Sequence, residues 1–414
     1  MSNSVRRGLI ATMTAAMVAA TAMATMAVAA PSASADASSI YTPPSPLPAG
    51  ENGDVLKSEP SNYNGAKATR MLYLSRDNKD KQVAVSGSVF VPNTPWNGPG
   101  ERPIVAYAPF TFGMAAKCAP SKTLAGEGGD LVSGFQGNFV NALLGAGFAV
   151  AQTDYIGPWV EGGGEHPYVM RLSEAHTVLD AVRAAKRLPD TGLAKNGPVG
   201  IAGYSEGGSA AASAAELAAT YAPDLDVKGV YAGAPPADKA ALAKSLDGGM
   251  YVGFLGYALI GINQAYPEAR LMDLANPAGA DLFLKARQTC TLDSVFQFMF
   301  KQTSTLTKDG RPVAEYLNQP PFDKIVAENR IGNLKPAMPT MVEQSPFDDV
   351  IPVATGKQMA KDWCGKGANV QWKDLAGAPV FAHALGMLTA PNDATAWLQS
   401  AFKGQAGNGN CGQF

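Results

Sequence analysis

A chain of 414 residues with 46% hydrophobic and 16% charged side chains has a globular composition, long enough for one large α/β domain with an insertion or for two domains. That balance excludes disordered and fibrous classes. A formal net charge of -2 offers no basic surface to follow a phosphate backbone, so nucleic acid is not an expected partner and a neutral substrate is favoured.

At the N-terminus, Arg6 and Arg7 precede an apolar run rich in Ala and Met over residues 9–30, and Ala33, Ser34 and Ala35 form a small-residue cleavage site. The pattern predicts a secretory signal peptide over residues 1–35 and hence an extracellular protein, and the arginine pair also fits twin-arginine export. Elsewhere the nearest approach to a membrane span is residues 250–262, too short and broken by glycines, so stable membrane insertion is not expected. Residues 36–64, rich in Pro, Ser and Gly, read as an extended arm.

Ordered elements begin near residue 65. Residues 70–75 and 82–91 alternate and are rich in β-branched side chains, which predicts two strands. PIVAYAPF, residues 103–110, is a buried-strand run leading into the glycine-bearing loop TFGMAAKCAPS; a helical segment over 138–145 and the strand FAVAQTD, 148–154, follow. Residues 168–188 place apolar side chains at helical spacing, NGPVGIAGYS supplies a short buried strand, a helix runs from Ser205 to about Tyr221, and KGVYAGAPPAD gives one more strand. This alternation builds a mostly parallel sheet covered on both faces, with a first core part over residues 65–235. About a hundred residues, 236–335, are too many for one crossover and carry apolar and aromatic stretches at partly helical spacing. They are expected to form an inserted, largely helical cap whose side chains pack its own core, or some of which line a tunnel or face lipid when the cap moves. Residues 336–414 complete the core.

Gly203-Tyr204-Ser205-Glu206-Gly207 is a G-x-S-x-G between a predicted strand and a predicted helix, the context of a nucleophile elbow in an α/β-hydrolase fold. The turn presents the Ser205 hydroxyl in the cleft and aims the backbone N–H of Glu206 at the oxygen that becomes negative in a tetrahedral intermediate. A base must follow the nucleophile in chain order, and of the histidines His166, His176 and His383 only His383 does so; it is expected on a loop after the strand NVQWKDL and before the final helix. His176 falls in a helical pattern and reads as structural or surface, and His166 reads as a hydrogen-bonding loop residue. The acid is expected in PTMVEQSPFDDVIPVATG, where spacing leaves Asp348 and Asp349 both open. The second oxyanion donor is expected from the loop after PIVAYAPF, with a backbone N–H near Gly113 as candidate.

Cys118, Cys290, Cys364 and Cys411 form no C-x-x-C pair, and an even count in an exported chain favours two disulfides over metal or redox chemistry, with three pairings possible. No metal and no cofactor is expected.

In order and spacing, CAPS at 118–121, TDYIG at 153–157, HPY at 166–168, GYSEGG at 203–208, FDDVIP, CGKGANVQW at 364–372 and the His383 loop resemble the secretory lipase family of capped α/β-hydrolases. The resemblance implies a secreted triacylglycerol lipase or esterase that forms an acyl-enzyme on Ser205. It also implies Asp348 as the acid, pairings Cys118–Cys290 and Cys364–Cys411, a lipid ester substrate met at a lipid–water interface, and a monomer. Two departures stand out: Gly113 occupies a position that is commonly aspartate in the family, and Glu206 replaces glycine or glutamine. The Glu206 carboxylate is either solvated at the helix start or tunes local acidity. A peptidase of the same fold, or a hydrolase-fold binding protein without turnover, are the competing readings.

Overall fold

The computed structural model describes residues 39–414; the expected signal peptide, residues 1–35, lies outside the described residues. The sheet starts at an antiparallel edge, where β1 (Val55–Ser61) pairs with β2 (Ala66–Arg76) and β2 with β3 (Gln82–Pro92). β1 corrects the arm expected over residues 36–64. Its sequence VLKSEPS lacks strand alternation and carries Pro60, which an edge strand tolerates because part of its backbone needs no ladder partner. The residues before it are tied down too, since Ile40 is buried and the Tyr41 hydroxyl shares a hydrogen bond of 2.9 Å with Ser121 Oγ.

The wholly buried apolar runs become central strands. β4 (Ile104–Ala108) is followed by α1 (Gln136–Gly145), β5 (Ala149–Thr153), α2 (Arg171–Arg187), β6 (Val199–Tyr204), α3 (Glu206–Tyr221) and β7 (Val227–Gly233). After β7 the chain forms α4 (Lys239–Leu246), α5 (Val252–Ala265), α6 (Pro277–Ala286), α7 (Thr291–Phe298) and α8 (Phe322–Glu328) before returning as β8 (Thr340–Gln344), α9 (Val353–Gly365), β9 (Val370–Asp374) and α10 (Ala382–Phe402).

The nine strands lie in the order β1-β2-β3-β5-β4-β6-β7-β8-β9, and β4 through β9 are mutually parallel. This is the α/β-hydrolase architecture expected from the sequence: a mostly parallel sheet with α2 and α3 packed together on one layer and α1 and α10 on another. The chain leaves β4 for β5 on one side and then passes to β6 on the other, so a crevice opens at the carboxyl ends of β4 and β6, where open α/β sheets take ligands.

The helices between β7 and β8 bury an apolar core of their own, including Leu255, Tyr257, Ile260, Phe283 and Phe298. Two features tie that insertion to the sheet. A disulfide joins Cys118 to Cys290, and the buried Glu216 of α3 accepts from Gly332 N (2.8 Å), Leu334 N (3.0 Å), Trp363 Nε1 (2.9 Å) and the Arg171 guanidinium (2.9 and 2.6 Å) where the chain returns to the core. The second disulfide, Cys364–Cys411, fastens the C-terminal tail to the end of α9.

Candidate active site

All six residues of β6 are buried, and the chain turns from it into α3 through Ser205 at φ 59°, ψ -120°, a region that side-chain-bearing residues avoid. The flanking glycines make the turn possible: a Cβ on Gly203 would lie 2.1 Å from the Gly207 carbonyl oxygen, and one on Gly207 2.1 Å from that of Ala108. The Ser205 N–H donates to the Gly233 carbonyl at 2.9 Å, which locks the corner to β7.

His383 Nε2 stands 2.8 Å from Ser205 Oγ, and its Nδ1 is 3.0 Å from both carboxylate oxygens of Asp348. With Nδ1–H donating to Asp348, Nε2 is left to accept from the serine hydroxyl. Asp348 also accepts from the backbone N–H groups of Val350 (3.0 Å) and Ile351 (2.8 Å) and from Gln344 Nε2 (3.1 Å). Burial pushes its carboxyl up, but the charge and hydrogen bond of His383 and the two backbone donors outweigh burial and hold it below the usual aspartate range. The two acidic neighbours thus divide: Asp348 meets the imidazole ring, and Asp349 Oδ1 accepts the backbone N–H of His383 at 3.0 Å.

That second contact explains a difference from the sequence expectation. His383 lies in the first turn of α10, which starts at Ala382, and not on a loop. Asp349 takes an orphan donor of the helix start, a role for which a side chain 34 positions away leaves no local signal. The Tyr204 hydroxyl, donating to the His383 carbonyl at 2.9 Å, fixes the same turn from β6.

The oxyanion candidates fare differently. Glu206 opens α3, with its N–H at the helix start beside Ser205. Gly113 is moved away from the expected role: at φ 116° it pairs with Cys290 in an isolated bridge, and a Cβ there would lie 2.5 Å from the Cys290 Cα. The residues of this loop that line the cavity at Ser205 are Phe110 and Thr111, closer to the end of β4. The partner in that bridge, Cys290, lies in the insertion and is disulfide-bonded to Cys118, a long-range contact the local sequence does not express.

Glu206 is not solvated. It is 1% exposed, with Oε1 2.6 Å from Nε2 of His166. His176 sits in α2 and stacks on Tyr221 at 4.0 Å between ring centroids, a packing role.

The cavity that reaches Ser205 and His383 measures about 350 Å³ and has no Asp, Glu, Lys or Arg in its lining. Its far wall comes from the insertion, chiefly Met250, Tyr251, Phe254, Val295 and Met299. In α5 Leu255 and Ile260 pack inward while Phe254 faces the cavity. Among the described residues, no cluster of three or more His, Cys, Asp or Glu is placed to hold a metal ion, and no helix is long and apolar enough to cross a membrane.

The family model for secretory lipases matches residues 131–410. Among curated proteins the chain is 29% identical over 344 residues to a probable inactive lipase of Mycobacterium tuberculosis, covering 82% of this chain and 74% of that one. It is 27% identical over 387 residues to a secreted triacylglycerol lipase of Malassezia globosa, covering 90% of this chain and 82% of that one. Among solved structures, Candida antarctica lipase A in its closed state aligns with a TM-score of 0.78 at 22% identity, over 90% of this chain and 87% of that one.

Proposed function

Because this chain belongs to the secretory lipase family, we propose that it is an exported serine hydrolase that cleaves the carboxylic esters of acylglycerols. The hydrogen-bonded run from Ser205 through His383 to Asp348 carries this reading. Ser205 Oγ attacks the ester carbonyl while His383 Nε2 takes its proton, and Asp348 holds the ring and stabilises the imidazolium. The carbonyl oxygen, now negative, is held by the Glu206 N–H and by a peptide N–H of the Thr111–Phe112 stretch, which replaces Gly113 as second donor. His383 returns the proton to the leaving alcohol, and water then cleaves the acyl-serine by the same route.

An apolar cavity without charged side chains suits an acyl chain and gives no partner to the charged groups of a peptide, which ranks the peptidase reading second. Inactivity, the property named of the mycobacterial relative, has no counterpart here in a missing group, since nucleophile, base and acid stand within hydrogen-bond reach. Residues 236–335 act as the cap that sets chain-length preference, and Phe296 and Phe381, 67% and 50% exposed at the cavity rim, meet the lipid–water interface in a monomer. Export proceeds by removal of residues 1–35. Emulsified triacylglycerol, a series of p-nitrophenyl esters and a set of amino-acid amides test the reading together with labelling of Ser205 by a fluorophosphonate. Ester cleavage and labelling are expected; amide cleavage without ester cleavage, or no turnover at all, would overturn it.

A further inference from the structure

Beside the serine turn lies a buried polar cluster that the acyl-transfer steps do not use. Glu206 and His166, each 1% exposed, meet at 2.6 Å through Oε1 and Nε2. The other ring nitrogen of His166 is 2.9 Å from the Ile156 carbonyl oxygen, which can only accept, so Nδ1 carries a proton. In a neutral ring Nε2 is then an acceptor, and the hydrogen between the two residues belongs to Glu206 as a carboxylic acid. The alternative, an imidazolium facing a carboxylate, would strip two charges of water. Burial opposes it on both sides, holding His166 down to about 3 and pushing Glu206 well above the carboxylate range.

Apolar rings and two further titratable groups pack around the pair. The rings of Phe112, Tyr155, Trp159 and Tyr168 surround His166 with centroids 5.8, 5.4, 5.4 and 5.9 Å away. Glu174 of α2, raised by burial and by Glu206, accepts the Val169 N–H at 2.8 Å. Behind it Lys239 of α4, held down to about 8 by burial, donates to the Pro236 carbonyl at 2.7 Å. The two tyrosines reach the chain just beyond β4: Tyr155 donates to the Pro109 carbonyl at 2.9 Å, and Tyr168 shares a hydrogen bond of 2.7 Å with Thr111 Oγ1. One cluster therefore grips both banks of the oxyanion site.

We propose that the Glu206 side chain is a positioning residue for ester hydrolysis: by donating to Nε2 of His166 it fixes the Ser205–Glu206 peptide N–H relative to the chain at Thr111. The role rests on the acyl-transfer reading above. Loss of the carboxyl proton would set the lone pairs of Oε1 and Nε2 against each other and put a negative charge beside the forming oxyanion, so turnover falls on the alkaline side.

Steady-state kinetics on a water-soluble p-nitrophenyl ester across pH test this. Glu206→Ala is expected to lower kcat about 10²-fold while KM stays within about threefold, the signature of misplaced transition-state donors. Glu206→Gln, whose amide still donates to Nε2, should recover at least about tenfold of that loss and, having no proton to lose, should lack the alkaline fall of the wild type. A Glu206→Ala kcat within about threefold of wild type, or a Glu206→Gln profile with the same alkaline fall, overturns the role. If circular dichroism finds Glu206→Ala unfolded, the comparison of Glu206→Gln with wild type decides alone. A wild type that neither cleaves ester nor takes up fluorophosphonate sinks the acyl-transfer reading and this role with it; an active wild type with an unaltered variant sinks only the role.

Discussion

The cavity at Ser205 has two walls of different origin. The sheet side supplies polar groups on strand ends and helix starts, held by hydrogen bonds: Ser205 by Gly233, His383 by Asp348, Asp349 and Tyr204. The insertion side supplies Met250, Tyr251, Phe254, Val295 and Met299, whose placement depends on apolar packing and on the two ties at Cys118–Cys290 and Glu216. The groups proposed for the chemistry, which needs placement to a fraction of an ångström, sit on hydrogen-bonded strand ends and helix starts, whereas the wall proposed to select substrate shape is built from apolar side chains of the insertion.

The contrast predicts that substitutions on the sheet side cost rate, and those on the insertion side cost stability or selectivity. The sharpest case is Ser205→Ala, expected to lower kcat by about 10⁵- to 10⁶-fold with an unchanged Tm; ester hydrolysis and a thermal melt measure both. Retained activity would move the nucleophile elsewhere. Next, Asp348→Asn should cost about 10⁴-fold in kcat by allowing the wrong imidazole tautomer, while Asp349→Asn should cost less than about tenfold, because an amide oxygen still accepts the His383 N–H. A larger loss in the second variant would reverse the division of labour between the two.

At the ties between the two, Glu216→Ala should destabilise by about 3 to 5 kcal/mol, since it strands the buried Arg171 guanidinium and three other donors; denaturant unfolding reads this directly. Replacing Cys118 and Cys290 together by serine should cost about 2 to 4 kcal/mol in the chain-entropy account, measured in the same way. Selectivity alone is expected to change in Phe254→Ala, by about tenfold in the ratio of kcat/KM between long and short esters at similar kcat on the preferred ester. A fall in kcat for every chain length would contradict the separation of the two walls.

Much of the sheet wall is legible in the amino-acid sequence. β6, Ser205 and α3 are one contiguous segment whose glycines answer a local steric demand, so the turn is written in five neighbouring residues. His383 follows from chain order among three histidines. The central strands announce themselves by continuous apolar runs, and the helices α2 and α3 by their spacing.

The rest is decided in space. Which acid meets the ring, and that its neighbour caps α10, depends on how the loop after β8 faces a helix start some 34 positions later. The partnership of Glu206 with His166 spans 40 positions, and Gly113 pairs with Cys290, itself held by a disulfide spanning 172. β1 has no pattern of its own and exists because β2 offers it an edge. The physical reason is common to these cases. Periodicity and turn chemistry act over a few bonds and fix local geometry, whereas the direction of a side chain toward a distant partner is set only when the elements that carry both are packed against each other.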